Sequence, residues 1–180
     1  MARLIKQFSS GILLILSGMS AGQTIAATTD IKASVVDGNC QVAIDTPTIT
    51  FDRRDVTHFS GGTGEILPLG VSVNCEGMKG KAPSLTVTGE SSQLTDTRLF
   101  RAASSSARYV GFMLKKGTLS NLNDFYNAAG TVAPGDSVAV TQDEGASVQP
   151  FSVGLVRSAG DPQMTAGTVN AKITFAFIFP

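Results

Sequence analysis

The chain has no tryptophan, a single histidine (His58) and only two cysteines (Cys40 and Cys75) among its 180 residues. Two thiols with no CxxC or CxxH companion are a poor start for a zinc site. No Gly-x-Ser-x-Gly elbow is present to carry a nucleophilic serine. Gly61-Gly62-Thr63-Gly64 lacks the Gly-Lys-Ser/Thr ending of a phosphate loop and reads as a turn. His58 lies near Asp52 and Asp55, as a general base with an orienting acid would. Asp52-Arg53-Arg54-Asp55 reads better, however, as a solvated loop whose charges cancel. The chain is therefore expected to be no enzyme and to need no cofactor or metal. An excess of basic residues is missing too, with 14 Lys+Arg against 14 Asp+Glu, which argues against nucleic acid or an anionic membrane as partner.

Long hydrophobic runs are equally scarce. Met1–Gln7 carries Arg3 and Lys6, an apolar stretch follows around Ile12–Leu16, and Thr24-Ile25-Ala26 places small residues where a signal peptidase needs them. The uncharged run Phe8–Met19 is far short of the ~20 apolar residues that span a bilayer, so a membrane anchor is the poorer reading. Residues 1–26 are expected to be a signal peptide cleaved after Ala26, with Ala21 or Ala27 as alternative sites. Loss of Arg3 and Lys6 leaves 12 basic residues against 14 acidic ones, a net charge near −2. Export places Cys40 and Cys75 in an oxidising compartment, where a disulfide is the default. The loop it would close stabilises by roughly 3–4 kcal/mol in the chain-entropy account.

What is abundant is alternation of period two. Strand-like runs are Ile31–Val36, Ile66–Asn74, Ser84–Thr88, Tyr109–Leu114, Ser137–Thr141, Phe151–Val156 and Thr168–Phe179. Turn chemistry separates them at Asp37-Gly38-Asn39, Lys79-Gly80-Lys81, Ala133-Pro134-Gly135-Asp136 and Ala159-Gly160-Asp161-Pro162. Asn121–Ala129 has room for one short helical turn. The pattern predicts an all-β, one-domain sandwich. In the last run Val169, Ala171, Ile173, Phe175, Phe177 and Phe179 share one face, and no charge follows Lys172. At a sheet edge, such a strand invites pairing with another chain. Near the other end Ala27, Thr29, Ile31, Ala33 and Val35 alternate with polar residues, as a strand that adds to a foreign sheet edge would. Arg98, Arg101, Arg108 and Tyr109 are candidates for a receptor patch, against the plainer reading of an ordinary charged surface.

Taken together, several features resemble the pilin subunits of chaperone–usher fimbriae. They are the leader, Cys40 soon after the expected mature start, Cys75 closing Val71-Ser72-Val73-Asn74-Cys75, and Gly167 opening a C-terminal strand. The short stretch Val35-Val36-Asp37-Gly38-Asn39-Cys40 is most similar to the minor tip subunits of type 1 fimbriae. The resemblance implies an incomplete immunoglobulin-like β-sandwich lacking its last strand, completed by a donor strand from another chain. It divides the sequence into a signal peptide (1–26), a donor-strand extension (27–39) and a pilin domain (40–180). Ala27, Thr29, Ile31, Ala33 and Val35 would fill a neighbour's groove. Gly167, Val169, Ala171, Ile173, Phe175, Phe177 and Phe179 would form the groove-edge strand that a periplasmic chaperone and then a neighbouring pilin engage. An outer-membrane usher would direct the exchange, and the product would be a fimbrium on the cell surface. Two positions depart from the family pattern: Phe179 stands where tyrosine is usual, and Ala33 where glycine is usual.

Overall fold

The computed structural model describes residues 38–91, 93–161 and 163–179. The expected donor residues Ala27, Thr29, Ile31, Ala33 and Val35 lie outside the described residues, as does the signal peptide. Among the described residues the order of elements is β1 (Asn39–Ile44), a 3-10 turn (Val56–His58), β2 (Thr63–Glu76), β3 (Ser84–Gly89), β4 (Val110–Lys116), α1 (Leu122–Phe125), β5 (Thr131–Val132), β6 (Ser137–Ala139), β7 (Gly145–Arg157) and β8 (Ile173–Ile178). Two sheets form, with strand orders β1-β2-β7-β4-β5 and β6-β3-β8, and all the pairings are antiparallel. The expected all-β sandwich is what the chain adopts.

The spine of the larger sheet is the pair β2 and β7, in register from Glu65↔Leu155 to Cys75↔Gly145. Alternation explains its inner face: Leu69, Val71, Val73 and Cys75 from β2 meet Phe151 and Val153 from β7 and Leu85, Val87 and Phe175 from the facing sheet. Phe151 and Phe175 pack ring to ring across the sandwich at 5.2 Å. Cys40 and Cys75 sit directly opposite one another on β1 and β2 and are disulfide-bonded. The bond ties the first described strand to the middle of the sheet at a fully buried point.

The outer face of this sheet is covered at one end by a second cluster of Leu99, Met113, Phe125, Tyr126 and Val156. That is why β7 reads as a continuous apolar run over residues 151–156 rather than an alternating one. Gly154 makes the arrangement possible, because a Cβ there would stand 2.1 Å from the Phe125 ring. Turn chemistry acts where the sequence places it. In Ala133-Pro134-Gly135-Asp136 the Asp136 amide donates to the Ala133 carbonyl at 3.1 Å, and Gly135 takes φ +96°.

The structure differs from the sequence expectation in β1, β5, β7 and β8. β1 and β5 are not among the expected runs: β1 forms against β2 with Cys40, Val42 and Ile44 turned inward, and β5, two residues long, forms against β4. β7 begins at Gly145, six residues before the expected start, because pairing with β2 extends it past the apolar segment. β8 is shorter than Thr168–Phe179: paired strand begins only at Ile173. Thr168–Asn170 spends its backbone groups on the loop 102–107 instead, with the Thr168 carbonyl accepting from the Ser106 and Ala107 amides, each at 2.9 Å.

Candidate functional site: an open groove beside the last strand

β8 pairs with β3 through six residues, from Gly89↔Ile173 to Ser84↔Ile178. Among the described residues no strand pairs with its other edge. β1 closes the facing sheet at the same side, and the two edges approach without hydrogen bonding to one another. Of the four sheet edges, β5 and β6 are two and three residues long, short enough to offer little template. Among the described residues the two long edges, β8 and β1 at six residues each, both with an apolar inner face, lie on the same side of the sandwich.

Beside that edge lies an open groove of about 1100 Å³. One wall is the segment from Ile44 to Phe59; the other runs from Met164 to Phe175. Its floor is the sandwich core, reached through Leu69, Phe112, Val153 and Leu155. Along the second wall burial alternates as the sequence predicts, with Val169, Ala171, Ile173, Phe175 and Phe177 turned inward and Thr168, Asn170, Lys172, Thr174 and Ala176 outward. The inward set is only half buried except for Phe175, which is 8% exposed. Across the groove Ile44, Ile49 and Phe51 are likewise half buried against the core. Among the described residues nothing covers the core to which these apolar side chains point. Phe179, predicted on the same face, lies 42% exposed beyond the strand, its edge against Phe177 and the Lys81 ammonium over its ring. Gly167 does not pair in β8 either. It takes φ +155° where a Cβ would stand 2.4 Å from the Ala107 amide nitrogen, so only glycine lets the chain pass there.

The rim of the first wall is polar and largely self-satisfied. Arg54 bridges to Glu65 of β2 at 2.9 Å and more loosely to Asp52 at 3.6 Å. Asp55 caps the 3-10 turn by accepting from the Thr57 amide and hydroxyl, which hold its carboxyl below the ordinary carboxylate range. The loop 52–55 thus balances its charges through Glu65 as well as internally, a partner that sequence spacing does not reveal. Among the described residues no cluster of three metal-binding side chains occurs.

The residues considered for a receptor patch are dispersed. Arg101 is 1% exposed and belongs to the interior, contrary to the plain expectation of a charged surface. Arg98 is committed to Asp96, through Nη2 at 2.7 Å and Nε at 2.8 Å. Tyr109 packs beneath the groove floor with Ala107, Val110 and Met164, and Arg108 stays exposed. Sequence reasoning also missed Lys115, which is wholly buried and donates to the Tyr126 and Ala128 carbonyls and the Thr131 hydroxyl. Burial lowers its pKa. Its place at the end of an apolar run, one residue before Lys116, gave no signal of this.

The family model described as fimbrial protein matches residues 29–179. The chain belongs to the fimbrial-protein family. None of the curated proteins matches this fimbrial subunit by sequence. Among solved structures it is similar to the P pilus rod subunit PapA, at 15% identity and TM-score 0.55, over 78% of this chain and 99% of that one. It is similar also to a Burkholderia pseudomallei antigen and type I fimbria protein, at 17% identity and TM-score 0.51, over 79% and 99%. A third match is the tip adhesin CupB6 from Pseudomonas aeruginosa, with 18% identity, TM-score 0.45 and 64% of this chain covered; the subunit spans 30% of that adhesin's length. The first two show the fold: an antiparallel, immunoglobulin-like pilin sandwich with almost no helix.

Proposed function

We propose that this fimbrial protein is a structural subunit polymerised by donor-strand exchange, and that the groove beside β8 is its acceptor site. The observation that carries the reading is the edge of β8, unpaired among the described residues, beside half-buried Ile173 and Phe177. An extended segment with alternate apolar side chains supplies what the groove lacks, hydrogen bonds along the edge and cover for the core. Full burial of each large apolar side chain of such a segment gains ~1.5–3 kcal/mol. The N-terminal extension, with Ala27, Thr29, Ile31, Ala33 and Val35 alternating, is the segment that one subunit gives to the next. A periplasmic chaperone fills the groove before assembly and the outer-membrane usher exchanges it. The subunit's place is a minor tip or adaptor position, from the short stretch before Cys40; the main shaft is the alternative. A directly receptor-binding role is the weaker alternative, since Arg101 is buried and Arg98 is held by Asp96.

The test is expression of the exported chain alone, with the chaperone, and with a peptide of the donor sequence. Alone it should aggregate or be degraded, and chaperone or peptide should rescue it. A stable monomer with cooperative unfolding and an empty groove would sink the acceptor-site reading. Mass spectrometry of sheared fimbriae separates adaptor from shaft, one or a few copies per fibre against a large excess.

A further inference from the structure

Arg101 is the largest of the fully buried side chains, and its guanidinium reaches no groove and no solvent. One Nη donates to the carbonyls of Ser105 at 2.9 Å and Ala107 at 2.7 Å, and the other to Gln93 Oε1 at 3.4 Å. Its own amide donates to the Glu90 carbonyl at 2.7 Å, fixing the residue just beyond β3. Removing a guanidinium from water is costly unless its donors are met by well-placed acceptors. Here the two carbonyl acceptors belong to one loop, Ala102–Ala107, which the fork folds back on itself.

That loop forms the groove wall where β8 has not yet begun. The Ala102 amide donates to the Asn170 carbonyl at 2.8 Å, and the Ser105 hydroxyl contacts both the Asn170 amide at 3.1 Å and its carbonyl at 3.2 Å. The Thr168 amide donates to the Ser106 hydroxyl at 2.9 Å. Gly167 lies against the Ala107 backbone. Thr168, Val169 and Asn170 line the groove, as do Ser106 and Ala107. The stretch of wall just before β8, Thr168–Asn170, is therefore held by a serine-rich loop, and the loop by Arg101.

We propose that Arg101 is a positioning residue for strand uptake, setting the far end of the acceptor groove for the terminal residues of a neighbouring subunit's segment 27–36. The proposal rests on the donor-strand reading. Arg101 touches no part of the incoming strand; it fixes Thr168–Asn170 and Ala107 where the strand's last pair of residues must seat. Its loss should remove the energetic contribution of one end of the donor and leave the other end's contribution intact. A general loss of stability would instead weaken every donor alike.

The experiment compares fluorescently labelled peptides of residues 27–36, 29–36 and 27–34 competing for the groove of the chaperone-bound exported chain and of its Arg101→Met and Ser105→Ala variants. In the unsubstituted chain, truncating the end that seats at Thr168–Asn170 should weaken binding about tenfold, equivalent to one well-buried contact. In Arg101→Met the same truncation should weaken binding less than about threefold, while truncation at the opposite end costs what it does in the unsubstituted chain. Ser105→Ala, too mild to prevent folding, should change the ratio in the same direction by less. Unchanged ratios in the variants, or a uniform loss for all peptides, would overturn the role of Arg101 with the donor-strand reading intact. No binding of any peptide by the unsubstituted chain would overturn both.

Discussion

Asp96 accepts from the Arg98 amide and side chain and from the Tyr126 hydroxyl, and that hydroxyl accepts in turn from the Ala159 amide. The Arg98 hydrogen bonds lead, with help from Tyr126, in holding the Asp96 carboxyl down at about 2. Burial pushes the Tyr126 phenol up, so it remains a donor across the ordinary pH range. A carboxylate with a depressed folded-state pKa stabilises fully above its unfolded value and loses that contribution as pH falls through the folded one. The window is thus from about pH 4 down to pH 2. Arg98 is half exposed, at 48%, so solvent screening limits the contribution to about 1–2 kcal/mol. Asp96→Asn in the donor-complemented subunit should cost about that much at pH 7, with the deficit closing as pH drops below 4. Chemical denaturation at several pH values checks it, and a deficit independent of pH would show that ionisation is irrelevant. Neither Asp96 nor Lys115 declared its role in the sequence, because both act through partners at least eleven residues away apart from Arg98.

At the scale of elements, the two ends of the chain divide the work. Phe175 is buried against Phe151 in the subunit's own core. Phe175→Asp buries an unmatched charge or expels β8, at a cost of several kcal/mol against a total stability of ~5–15. That variant should fail to accumulate even with chaperone present. Ile31→Asp should leave the chaperone complex intact and block donation to a neighbouring groove. Co-purification followed by strand exchange with an acceptor subunit separates the two. If Ile31→Asp destroys the complex as thoroughly, the N-terminal segment belongs to the home fold. The alternation of β8 was legible because its inward and outward positions face such different surroundings. Its start was not, since Val169 and Ala171 keep the apolar pattern while the Ala102–Ala107 loop takes the backbone of Thr168 and Asn170.

For the whole molecule, a long-range sheet topology is joined by one covalent tie. β2 and β7 pair residues that lie 70 (Cys75↔Gly145) to 93 (Thr63↔Val156) apart in sequence, and the ends of such contacts are slow to find one another. The Cys40–Cys75 bond holds β1 against β2, next to the edge that the groove leaves open. Thiol labelling of the denatured, unreduced exported subunit should find no free sulfhydryl, because the two cysteines are the chain's only thiols and the compartment is oxidising. Two reactive thiols per chain would contradict this.

The sequence by itself determined the class of fold, the inward face of the last strand, and the turns at Pro134-Gly135 and Lys79-Gly80-Lys81. These follow from local chemistry: period-two alternation and the φ that glycine and proline allow. Only the tertiary structure decided which edge stays open, where paired strand gives way to a clamped loop, and that Arg101 and Lys115 lie inside. Those outcomes depend on which strands become neighbours across the sandwich, and no local pattern encodes the partner of an edge or the carbonyls that make burial of a cation tolerable.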